Sequence, residues 1–300
     1  MNTQFKTIAL VGRVDDDRVV QPMRSLAEHL TKAGVSVIAD SATADVADAH
    51  AVAESDLGKQ ADLVIAVGGD GTMLYGARLI GEQSTPLLGV NRGRLGFLAD
   101  VSPRNMLEAM DQVLAGDYIV ESRLLLDTTV VCPDGRQSSA IALNDVVLQR
   151  RETGRMVDFE TRIAGSYINT HAGDGLIVAT PTGSTAYALS CGGPIIEPGL
   201  DVVALVPICP HTLSDRPIVV PASSGIEVVL LERGDTKADV IVDGRSLDGL
   251  LPGGSLTISA SKQRLSLIHP PGYDYYDILR SKLNWGKDTR NRASSDQGDD

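Results

Sequence analysis

The sequence has 300 residues, 43% of them apolar, and a formal net charge of −12. This length suits two ordinary domains, and the apolar content allows a sizeable core. So acidic a chain lacks the basic face that a nucleic-acid backbone requires, and we expect no nucleic-acid partner. No apolar stretch approaches the roughly 20 residues of a membrane span. Residues 1–6 lack the pattern of a secretion signal, so we expect a cytoplasmic protein with no membrane partner.

The cysteines and histidines show no metal-binding pattern. Three cysteines, an odd number, stand far apart at positions 132, 191 and 209, which predicts reduced thiols in a cytosolic protein. The five histidines form no cluster with ligand spacing. We therefore expect no protein-held zinc.

Strands and helices alternate in the first part of the chain, which predicts an α/β domain over residues 1–120. Helical periodicity covers residues 20–32, and Gly34 follows as the residue that ends the helix. Ser102 and Pro103 predict the start of a further helix that Gly116 ends. The predicted strands are residues 7–11, 35–39, 63–67 and 86–90.

From Glu121 onwards helical periodicity almost disappears, which predicts a mostly antiparallel, sandwich-like β-rich domain over residues 121–268. Residues 277–285 have a helical pattern and are expected to pack back on the first domain, within a C-terminal segment 269–300 that ends in a frayed tail. The turn signals between the β-rich runs are Pro133-Asp134-Gly135, Ala164-Gly165, Arg233-Gly234-Asp235, Asp243-Gly244 and Pro252-Gly253-Gly254.

The most informative segment follows the apolar run at residues 63–67. It reads Gly68-Gly69-Asp70-Gly71-Thr72, and a helical pattern begins at Met73. A strand, a glycine-rich turn and a helix bring backbone N–H groups together around a phosphate. A carboxylate inside such a turn is useful if it also meets a hydroxyl or a metal ion, which indicates phosphoryl transfer. The alternative is a tight turn in which Asp70 is only a helix N-cap.

Two further segments carry ligand-type chemistry. Residues 173–187 run from a strand into a loop dense in hydroxyls and glycine, which suits a sugar or a phosphate. The alternative is that these hydroxyls satisfy their own backbone. The pair Asn144-Asp145 offers an amide and a carboxylate that can read a base edge and ribose hydroxyls together. A simple Asx turn is the alternative for that pair.

Several common signatures are missing from the sequence. There is no Gly-x-x-x-x-Gly-Lys-Ser/Thr phosphate loop, no Gly-x-Ser-x-Gly elbow and no protein-kinase catalytic loop. The first predicted strand is not followed by a Gly-x-Gly-x-x-Gly fingerprint. The chain is therefore neither a P-loop enzyme nor an ordinary dehydrogenase.

The ligand-type segments occur in a defined order, which is Gly68–Thr72, Asn91 with Leu95-Gly96-Phe97, Asn144-Asp145, then Asp174-Gly175 continuing to Thr180–Tyr187. In this order they resemble the bacterial NAD kinase family. The resemblance covers residues 7–285, because Ser214-Asp215-Arg216-Pro217, Val242-Asp243-Gly244 and residues 276–285 fit as well. The glycine turn alone is shared with lipid kinases and resembles that of phosphofructokinases, whereas the block at residues 180–187 is more discriminating.

The resemblance implies a Rossmann-like α/β N-terminal domain and a β-rich C-terminal domain. It implies transfer of the γ-phosphoryl group of ATP to the adenosine 2′-hydroxyl of NAD, giving NADP. Asp70 is then the catalytic residue, which accepts the hydroxyl proton and orients the oxygen. Mg²⁺ is expected to be carried mainly by the phosphates, with Arg13, Arg92 and Arg94 as candidates to neutralise phosphate charge. A homodimer or homotetramer is expected.

The resemblance also implies a set of binding residues. They are Gly68, Gly69, Gly71 and Thr72 at the phosphates, Phe97 beside the adenine, Asn144 and Asp145 at the ribose hydroxyls, Thr182, Thr185, Ala186, Tyr187 and Ser190 around the adenine and ribose, Asp174 near the nicotinamide, and Asp243 facing the site. Two positions depart from the family pattern. Asp145 stands where glutamate is common, and Ala172 stands where some members carry arginine. Loss of that cation predicts weaker discrimination between NAD and NADH.

Three alternatives remain at this stage. A lipid or sphingoid-base kinase shares the glycine turn, but the chain has no basic amphipathic helix for a membrane surface. A non-catalytic NAD sensor would keep Asn144, Asp145 and Tyr187 but would have no need for Asp70. A two-domain scaffold protein leaves the polar, glycine-rich loops unexplained.

Overall fold

The computed structural model describes residues 4–93, 96–151, 156–232 and 237–285. Strands and helices alternate in its first part. In chain order they are β1 (Thr7–Gly12), α1 (Asp17–Lys32), β2 (Ser36–Ala39), α2 (Ser41–Ala47), β3 (His50–Ala51), α3 (Glu54–Gln60), β4 (Leu63–Val67), α4 (Asp70–Ile80), β5 (Leu87–Val90) and α5 (Met106–Leu114).

These five strands pair in parallel in the order β5-β4-β1-β2-β3. Every residue of β4 is buried, which is why the strand is an uninterrupted apolar run. Helix α1 packs on one face of the sheet with Met23, Leu26 and Leu30 fully buried. Because the strands are parallel, the carboxyl ends of β1, β4 and β5 lie at one edge of the sheet, where ligands bind in open α/β folds.

Some helix boundaries differ from the predicted ones. Helix α5 begins at Met106, and the prediction that Ser102 and Pro103 start it is wrong. The hydroxyl of Ser102 accepts the N–H of Arg104 at 3.3 Å and its carbonyl accepts the N–H of Asn105 at 3.0 Å, so a turn precedes the helix. Helices α2 and α3 are seven residues each, too short for a periodic pattern to reveal them.

The second part of the chain is rich in β-strands. They are β6 (Ile119–Val131), β7 (Gln137–Ala142), β8 (Asp145–Arg150), β9 (Val157–Ile163), β10 (Ser166–Gly173), β11 (Gly175–Ala179), β12 (Val202–Ile208), β13 (Ile218–Pro221), β14 (Ile226–Leu230), β15 (Ala238–Val242), β16 (Arg245–Leu250) and β17 (Ser255–His269). A short 3₁₀ helix (Thr182–Thr185) and α6 (Tyr187–Ser190) follow β11, and α7 (Tyr275–Leu283) follows β17.

Two sheets build this part. One is a six-stranded antiparallel sheet in the order β13-β12-β11-β8-β15-β16. Its inner face shares a core with the other sheet, in which Val178 and Leu205 of the first sheet belong to the same cluster as Phe159 and Val228 of the second. The predicted fold class, an α/β part followed by a sandwich-like β-rich part, is confirmed.

The long strand β17 connects the two parts of the molecule. It pairs antiparallel with β6 along its length and with β14 near its start, and Leu267 and Ile268 pair in parallel with β5. The parallel α/β sheet therefore continues into an eleven-stranded mixed sheet. The sequence pattern does not predict this pairing, because residues 87 and 267 are far apart along the chain. The domain boundaries at residues 120 and 268 stay a prediction.

The predicted turns are tight where glycine allows positive φ. Ala164 and Gly165 both have positive φ, as do Asp243 and Gly244, the geometry of a type I′ hairpin. The predicted turn at residues 233–235 and the tail at 290–300 lie outside the described residues. Helix α7 ends at Asn284 in the left-handed conformation. Among the helices of the described ranges, none has the length and apolar character that a membrane crossing requires.

Candidate functional site

The glycine turn lies at the carboxyl edge of the parallel sheet. The N–H of Gly68 donates to the carbonyl of Val90, which ties the turn to the end of β5. A Cβ on Gly68 would collide with the side chain of Thr72, so this glycine is required for packing. A Cβ on Gly71 would meet no atom within 4 Å. The turn therefore has a packed side at Gly68 and an open side at Gly71.

Asp70 is the first residue of α4, and the N-cap is Gly69. The helix therefore begins before the predicted Met73, and Asp70 does not cap it. Its carboxylate instead accepts backbone N–H groups from the loop after β5, with 3.0 Å from Phe97 to Oδ2 and 3.0 Å from Leu98 to Oδ1. A Cβ on Gly96 would collide with this carboxylate. The half-buried Asp70 side chain is thus held in one orientation at the start of the helix.

The Asn144-Asp145 pair is positioned by Asp243 from the β15–β16 hairpin. One Asp243 oxygen accepts the N–H of Leu143 at 2.8 Å, and the other accepts those of Asn144 at 2.8 Å and Asp145 at 3.1 Å. The side chain of Asp243 therefore holds the backbone of the Asn144-Asp145 pair in place. The amide oxygen of Asn144 is buried and has no hydrogen-bond partner in the described part of the chain. The alternative of an Asx turn at Asn144 is wrong, and its side-chain oxygen remains available to a ligand.

Two buried carboxylates lie side by side here. Burial raises the pKa of Asp145 to about 7, and the neighbouring charge of Asp243 adds to the effect. Burial also raises the pKa of Asp243, against the effect of the backbone N–H groups that its carboxylate accepts. Asp145 is only 6% exposed, so a ligand hydroxyl that donates to its carboxylate would satisfy a costly buried acceptor.

The hydroxyl-rich loop packs directly on Asn144. Thr180 donates its hydroxyl to the carbonyl of Leu143 at 2.6 Å and accepts the N–H of Gly183 at 3.0 Å. A Cβ on Gly183 would collide with the carbonyl of Asn144. Ser184 donates to the carbonyl of Pro181 at 2.6 Å. The alternative that the hydroxyls bind nearby backbone groups therefore holds for Thr180 and Ser184, whose hydrogen bonds fix the loop.

Other predicted residues of this loop face outwards to different degrees. Thr185 and Ala186 are half-buried, Tyr187 is 39% exposed, and Ser190 is exposed. Burial raises the pKa of Tyr187, and the neighbouring thiol of Cys191 acts in the same direction.

Thr182 and Asp174 each face an arginine. The hydroxyl of Thr182 is buried, 3.5 Å from Nη1 of Arg123. Asp174 forms an ion pair with Arg150, with 3.0 Å between Oδ1 and Nε. The sequence motifs predict neither arginine as a site residue, because a single charged residue within a β-rich run carries no spacing signal.

Arginine side chains adjoin the glycine turn. Nη2 of Arg92 would lie 3.8 Å from a Cβ on Gly69, and its Nη1 is 2.6 Å from the carboxylate of Asp16. Arg13 pairs with Asp15 at 2.9 Å. These side chains line a shallow cavity of about 500 Å³. Arg94 and Leu95 lie outside the described residues.

A second cavity, of about 590 Å³, opens at Gly71 and runs along α4 to Asp243. Its apolar lining includes Leu74 and Tyr75 of α4 and Leu247 of β16. The helical pattern counts Leu74 as a core residue, so the sequence does not reveal this cavity. Phe97 lies on the other side of Asp70, half-buried, with its ring 5.8 Å from Nζ of Lys282 in α7.

The carboxylate of Asp70 is thus held in one orientation beside the open side of the glycine turn. The amide of Asn144 and the carboxylate of Asp145, which can bind a ligand, lie on the β-rich part. Such a fold and site define a kinase that phosphorylates a hydroxyl group of a nucleotide-like substrate. Known proteins narrow this class. The model of the ATP-NAD kinase N-terminal domain matches residues 8–118, and that of the ATP-NAD kinase C-terminal domain matches residues 143–270. The chain belongs to the ATP-NAD kinase family.

Individual relatives agree with this membership. The NAD kinase of Hahella chejuensis is 45% identical over 298 residues, which cover 98% of this chain and 99% of that protein. The NAD kinase of Thiobacillus denitrificans is 43% identical over 290 residues, with coverage of 96% and 99%. An Archaeoglobus fulgidus NAD kinase in complex with ATP is 28% identical, with a TM-score of 0.74 and coverage of 93% and 98%. Yeast NADH kinase complexed with NADH shares the fold, with 24% identity, a TM-score of 0.89 and coverage of 96% and 89%.

Proposed function

We propose that the protein transfers the γ-phosphoryl group of ATP to the 2′-hydroxyl of the adenosine ribose of NAD, giving NADP. The observation that carries this proposal is the clamped carboxylate of Asp70 at the open glycine turn. Family membership over both parts of the chain supports the choice of ATP and NAD as substrates. A lipid kinase has no use for the Asn144-Asp145 pair and the packed loop at residues 180–187.

Asp70 is the proposed base. A secondary hydroxyl is a poor nucleophile while it keeps its proton, and in a loose phosphoryl-transfer transition state the protein mainly orients groups and neutralises charge. Asp70 accepts the proton of the 2′-hydroxyl and aligns the oxygen with the γ-phosphorus. The N–H groups of Phe97 and Leu98 fix the carboxylate orientation, which reduces the entropy lost on reaching the transition state.

The phosphates are assigned to the open side of the turn. Backbone N–H groups of Gly69 and Gly71 at the start of α4 are donors of the kind that bind phosphate. The N–H of Thr72 instead donates to the carbonyl of Gly69 at 2.8 Å. Arg92 and Arg13, which are paired with Asp16 and Asp15, lie at the same edge of the sheet and are the proposed partners of the phosphate charge. The cavity that begins at Gly71 is large enough for one nucleoside portion of a substrate.

The NAD adenosine is assigned to the β-rich side. The unpartnered oxygen of Asn144 and the carboxylate of Asp145 accept ribose hydroxyls. Phe97 and Tyr187 offer aromatic surface to the adenine, with Thr185 and Ala186 beside it. Asp174 remains assigned to the nicotinamide end, where its ion pair with Arg150 holds it.

A divalent cation, for which we propose Mg²⁺, enters as part of the ATP substrate. Among the described residues no three His, Cys, Asp or Glu side chains converge as metal ligands. Both oxygens of Asp70 already accept backbone N–H groups. The described side chains near the turn therefore do not provide a set of metal ligands. We assign the metal ion to the phosphate oxygens.

The remaining proposals concern the whole molecule. We propose a cytoplasmic homodimer or homotetramer with domains at residues 1–120 and 121–268 and a C-terminal segment at 269–300. Exposed apolar side chains at Tyr167 and Leu213, 55% and 89% exposed, support association through the β-rich part. Light scattering measures the assembly, and a single monomeric species at working concentration would exclude it.

An end-point assay tests the proposed activity. Purified protein is incubated with ATP, Mg²⁺ and NAD, and NADP is read with an NADP-specific dehydrogenase. The Asp70→Asn variant is the control. NADP formed by the wild type and not by the variant supports both the reaction and the base. NAD binding by calorimetry without NADP formation favours a sensor, and the absence of both favours a lipid substrate.

A further inference from the structure

A buried set of charged and aromatic side chains lies behind the site. It consists of Asp100, Glu121, Arg123, His269 and Tyr273, and we refer to it as the His269 network. His269, at the end of β17, is 1% exposed, and its Nδ1 lies 2.8 Å from Oδ2 of Asp100. Its ring stacks on Tyr273 with centroids 3.7 Å apart and an interplanar angle of 16°. Its Nε2 lies 3.4 Å from Oε2 of Glu121.

One end of the network reaches the loop that holds Asp70. Asp100 immediately follows residues 97–99, and the backbone N–H groups of Phe97 and Leu98 are the donors that clamp the Asp70 carboxylate. Because only one residue separates Leu98 from Asp100, the side-chain bond from Asp100 to His269 anchors the backbone that presents these donors.

The other end of the network reaches the hydroxyl-rich loop. Glu121 forms a close ion pair with Arg123, a strand neighbour on β6. Arg123 is 2% exposed, and its guanidinium also lies 3.3 Å from the Tyr273 hydroxyl and 3.5 Å from that of Thr182. An arginine buried this deeply is retained only with such partners. The network therefore spans the distance between the Asp70 loop and the Thr182 loop.

The network brings two basic side chains, His269 and Arg123, together with the carboxyl groups of Asp100 and Glu121. Burial alone would lower the pKa of His269, but the hydrogen bond and charge of Asp100, with Glu121, outweigh it and raise the pKa above its ordinary value. Burial raises the pKa of Glu121, but His269 and Arg123 outweigh that effect and bring it to about 2. Two basic side chains, His269 and Arg123, thus face two carboxylates. Nδ1 of His269 is hydrogen-bonded to Asp100, whereas its Nε2 has no hydrogen-bond partner in the described part of the chain.

We propose that His269 is a positioning residue for Asp70. Through Asp100 it fixes the backbone of residues 97–99, whose N–H groups orient the Asp70 carboxylate. Through Glu121 and Arg123 it keeps that loop in register with Thr182 on the facing part of the molecule. The catalytic consequence rests on the proposed function, whereas the anchoring of residues 97–99 is independent of it.

The test compares variants at His269 with a matched control in the full-length protein. His29 forms the same kind of pair with Asp111, at 2.7 Å, on the surface between α1 and α5. His29→Ala therefore removes a histidine–aspartate contact that is not part of the network. His269→Ala removes the anchor, and His269→Asn restores a donor at the position of Nδ1. Asp100→Asn tests the same bond from its other side if the His269 variants do not fold.

Two readouts are measured. The first is amide hydrogen exchange of the peptide that covers residues 97–99. The second is kcat and KM for NAD and ATP in the NADP assay. We expect His269→Ala to lose exchange protection at residues 97–99 and to lower kcat about ten- to a hundredfold, with KM for NAD changed less than about threefold. His269→Asn should recover most of both losses, and His29→Ala should behave as wild type.

The outcomes separate this inference from the proposed function. Unchanged protection at residues 97–99 in both His269→Ala and Asp100→Asn would overturn the anchoring role. An equal loss of exchange protection and kcat in His29→Ala, or no recovery of them in His269→Asn, would indicate general destabilisation. Either result would also overturn the anchoring role. If the wild type forms no NADP but protection is lost in His269→Ala and regained in His269→Asn, the anchoring stands and the proposed function fails.

Discussion

The backbone N–H of Leu98 donates to Oδ1 of Asp70 across 3.0 Å, so the carboxylate at the start of α4 is oriented by the chain that follows β5. Phe97 makes the corresponding bond to Oδ2. Both oxygens of the proposed base are therefore used as acceptors before any substrate arrives. The remaining lone pairs are the ones that can receive the proton of a substrate hydroxyl.

This relationship makes Asp70→Asn an informative change. The amide cannot act as a base, and its NH₂ group must face one of the two N–H donors. We expect kcat to fall about 10²- to 10⁴-fold, with a smaller change in the dissociation constant for NAD. The measurements are the NADP assay and calorimetry with NAD. Near-normal turnover would make the base assignment wrong, and loss of NAD binding would make Asp70 chiefly a binding residue.

Asp145 gives a prediction about the pH dependence of stability. Its pKa is about 7 in the folded protein and close to its ordinary 3.8 when unfolded. As pH rises from 3.8 to 7, the unfolded chain releases this proton first, so the free energy of unfolding falls through that window and the loss is complete above it. We expect Asp145→Asn to raise the free energy of unfolding by roughly 2–4 kcal/mol above pH 7 and by little near pH 4.

Urea unfolding of the two proteins at pH 4.5 and pH 8 measures this difference. The same variant should raise KM for NAD, because a carboxylate that accepts ribose hydroxyls is replaced by a neutral amide. A stability gain of equal size at both pH values would contradict the raised pKa. An unchanged KM for NAD would remove Asp145 from the binding residues.

Gly68 and Gly71 form a matched pair for the two sides of the turn. A Cβ at Gly68 meets the side chain of Thr72, whereas a Cβ at Gly71 meets open space. We expect Gly68→Ala to lower the free energy of unfolding by about 1–3 kcal/mol through overpacking. Gly71→Ala, at a helical position, should leave it unchanged or raise it by up to about 1 kcal/mol.

Kinetics distinguish the second role of this pair. If phosphates approach the open side of the turn, Gly71→Ala should raise KM for ATP although the protein is as stable as wild type. Chemical denaturation and ATP titrations on the same preparations give both numbers. A stable Gly71→Ala variant with wild-type KM for ATP would exclude the open side as the phosphate position.

Ala172 predicts relaxed discrimination between NAD and NADH. It lies half-buried on β10 opposite Asp158, two residues before Asp174. Alanine brings neither charge nor bulk to this position, and we expect kcat/KM for NAD and NADH to agree within about tenfold, or 1.4 kcal/mol. Ala172→Arg should shift the ratio towards NAD. Near-total rejection of NADH by the wild type would disprove the expectation.

Local patterns in the sequence predict the fold where a local cause dominates. The strand β4 is predicted to the residue because its run of apolar residues stops at Gly68. The hairpin at Asp243-Gly244 is predicted because both positions need positive φ. The start of α5 is not predicted correctly, because the Ser102 side chain stabilises a separate turn instead of capping the helix. The pairing of β17 with β5 depends on tertiary contacts that no local pattern carries.

The residues of the candidate site also divide into those that a local motif indicates and those that only tertiary contacts bring together. Asp70 and Asn144 are predicted from the sequence as site residues because their neighbours form recognisable motifs. Arg123 and His269 are not predicted as important residues, because a single charge in a strand and a single histidine carry no spacing signal. Their importance comes from being buried together, and only the fold places Glu121, the ion-pair partner of Arg123, next to His269.

The position of β17 also governs the order in which the chain is able to fold during synthesis. The α/β part is encoded first, but the edge of strand β5 at Leu87 and Leu88 stays unpaired until residues 267 and 268 leave the ribosome. Such an edge is a template for wrong pairing with other chains. The nascent N-terminal part therefore waits with an exposed strand for about 9–36 s, the time to translate some 180 residues at 5–20 residues per second. This interval is therefore the stage of synthesis at which the sheet is open to pairing with another chain, and β17 ends it.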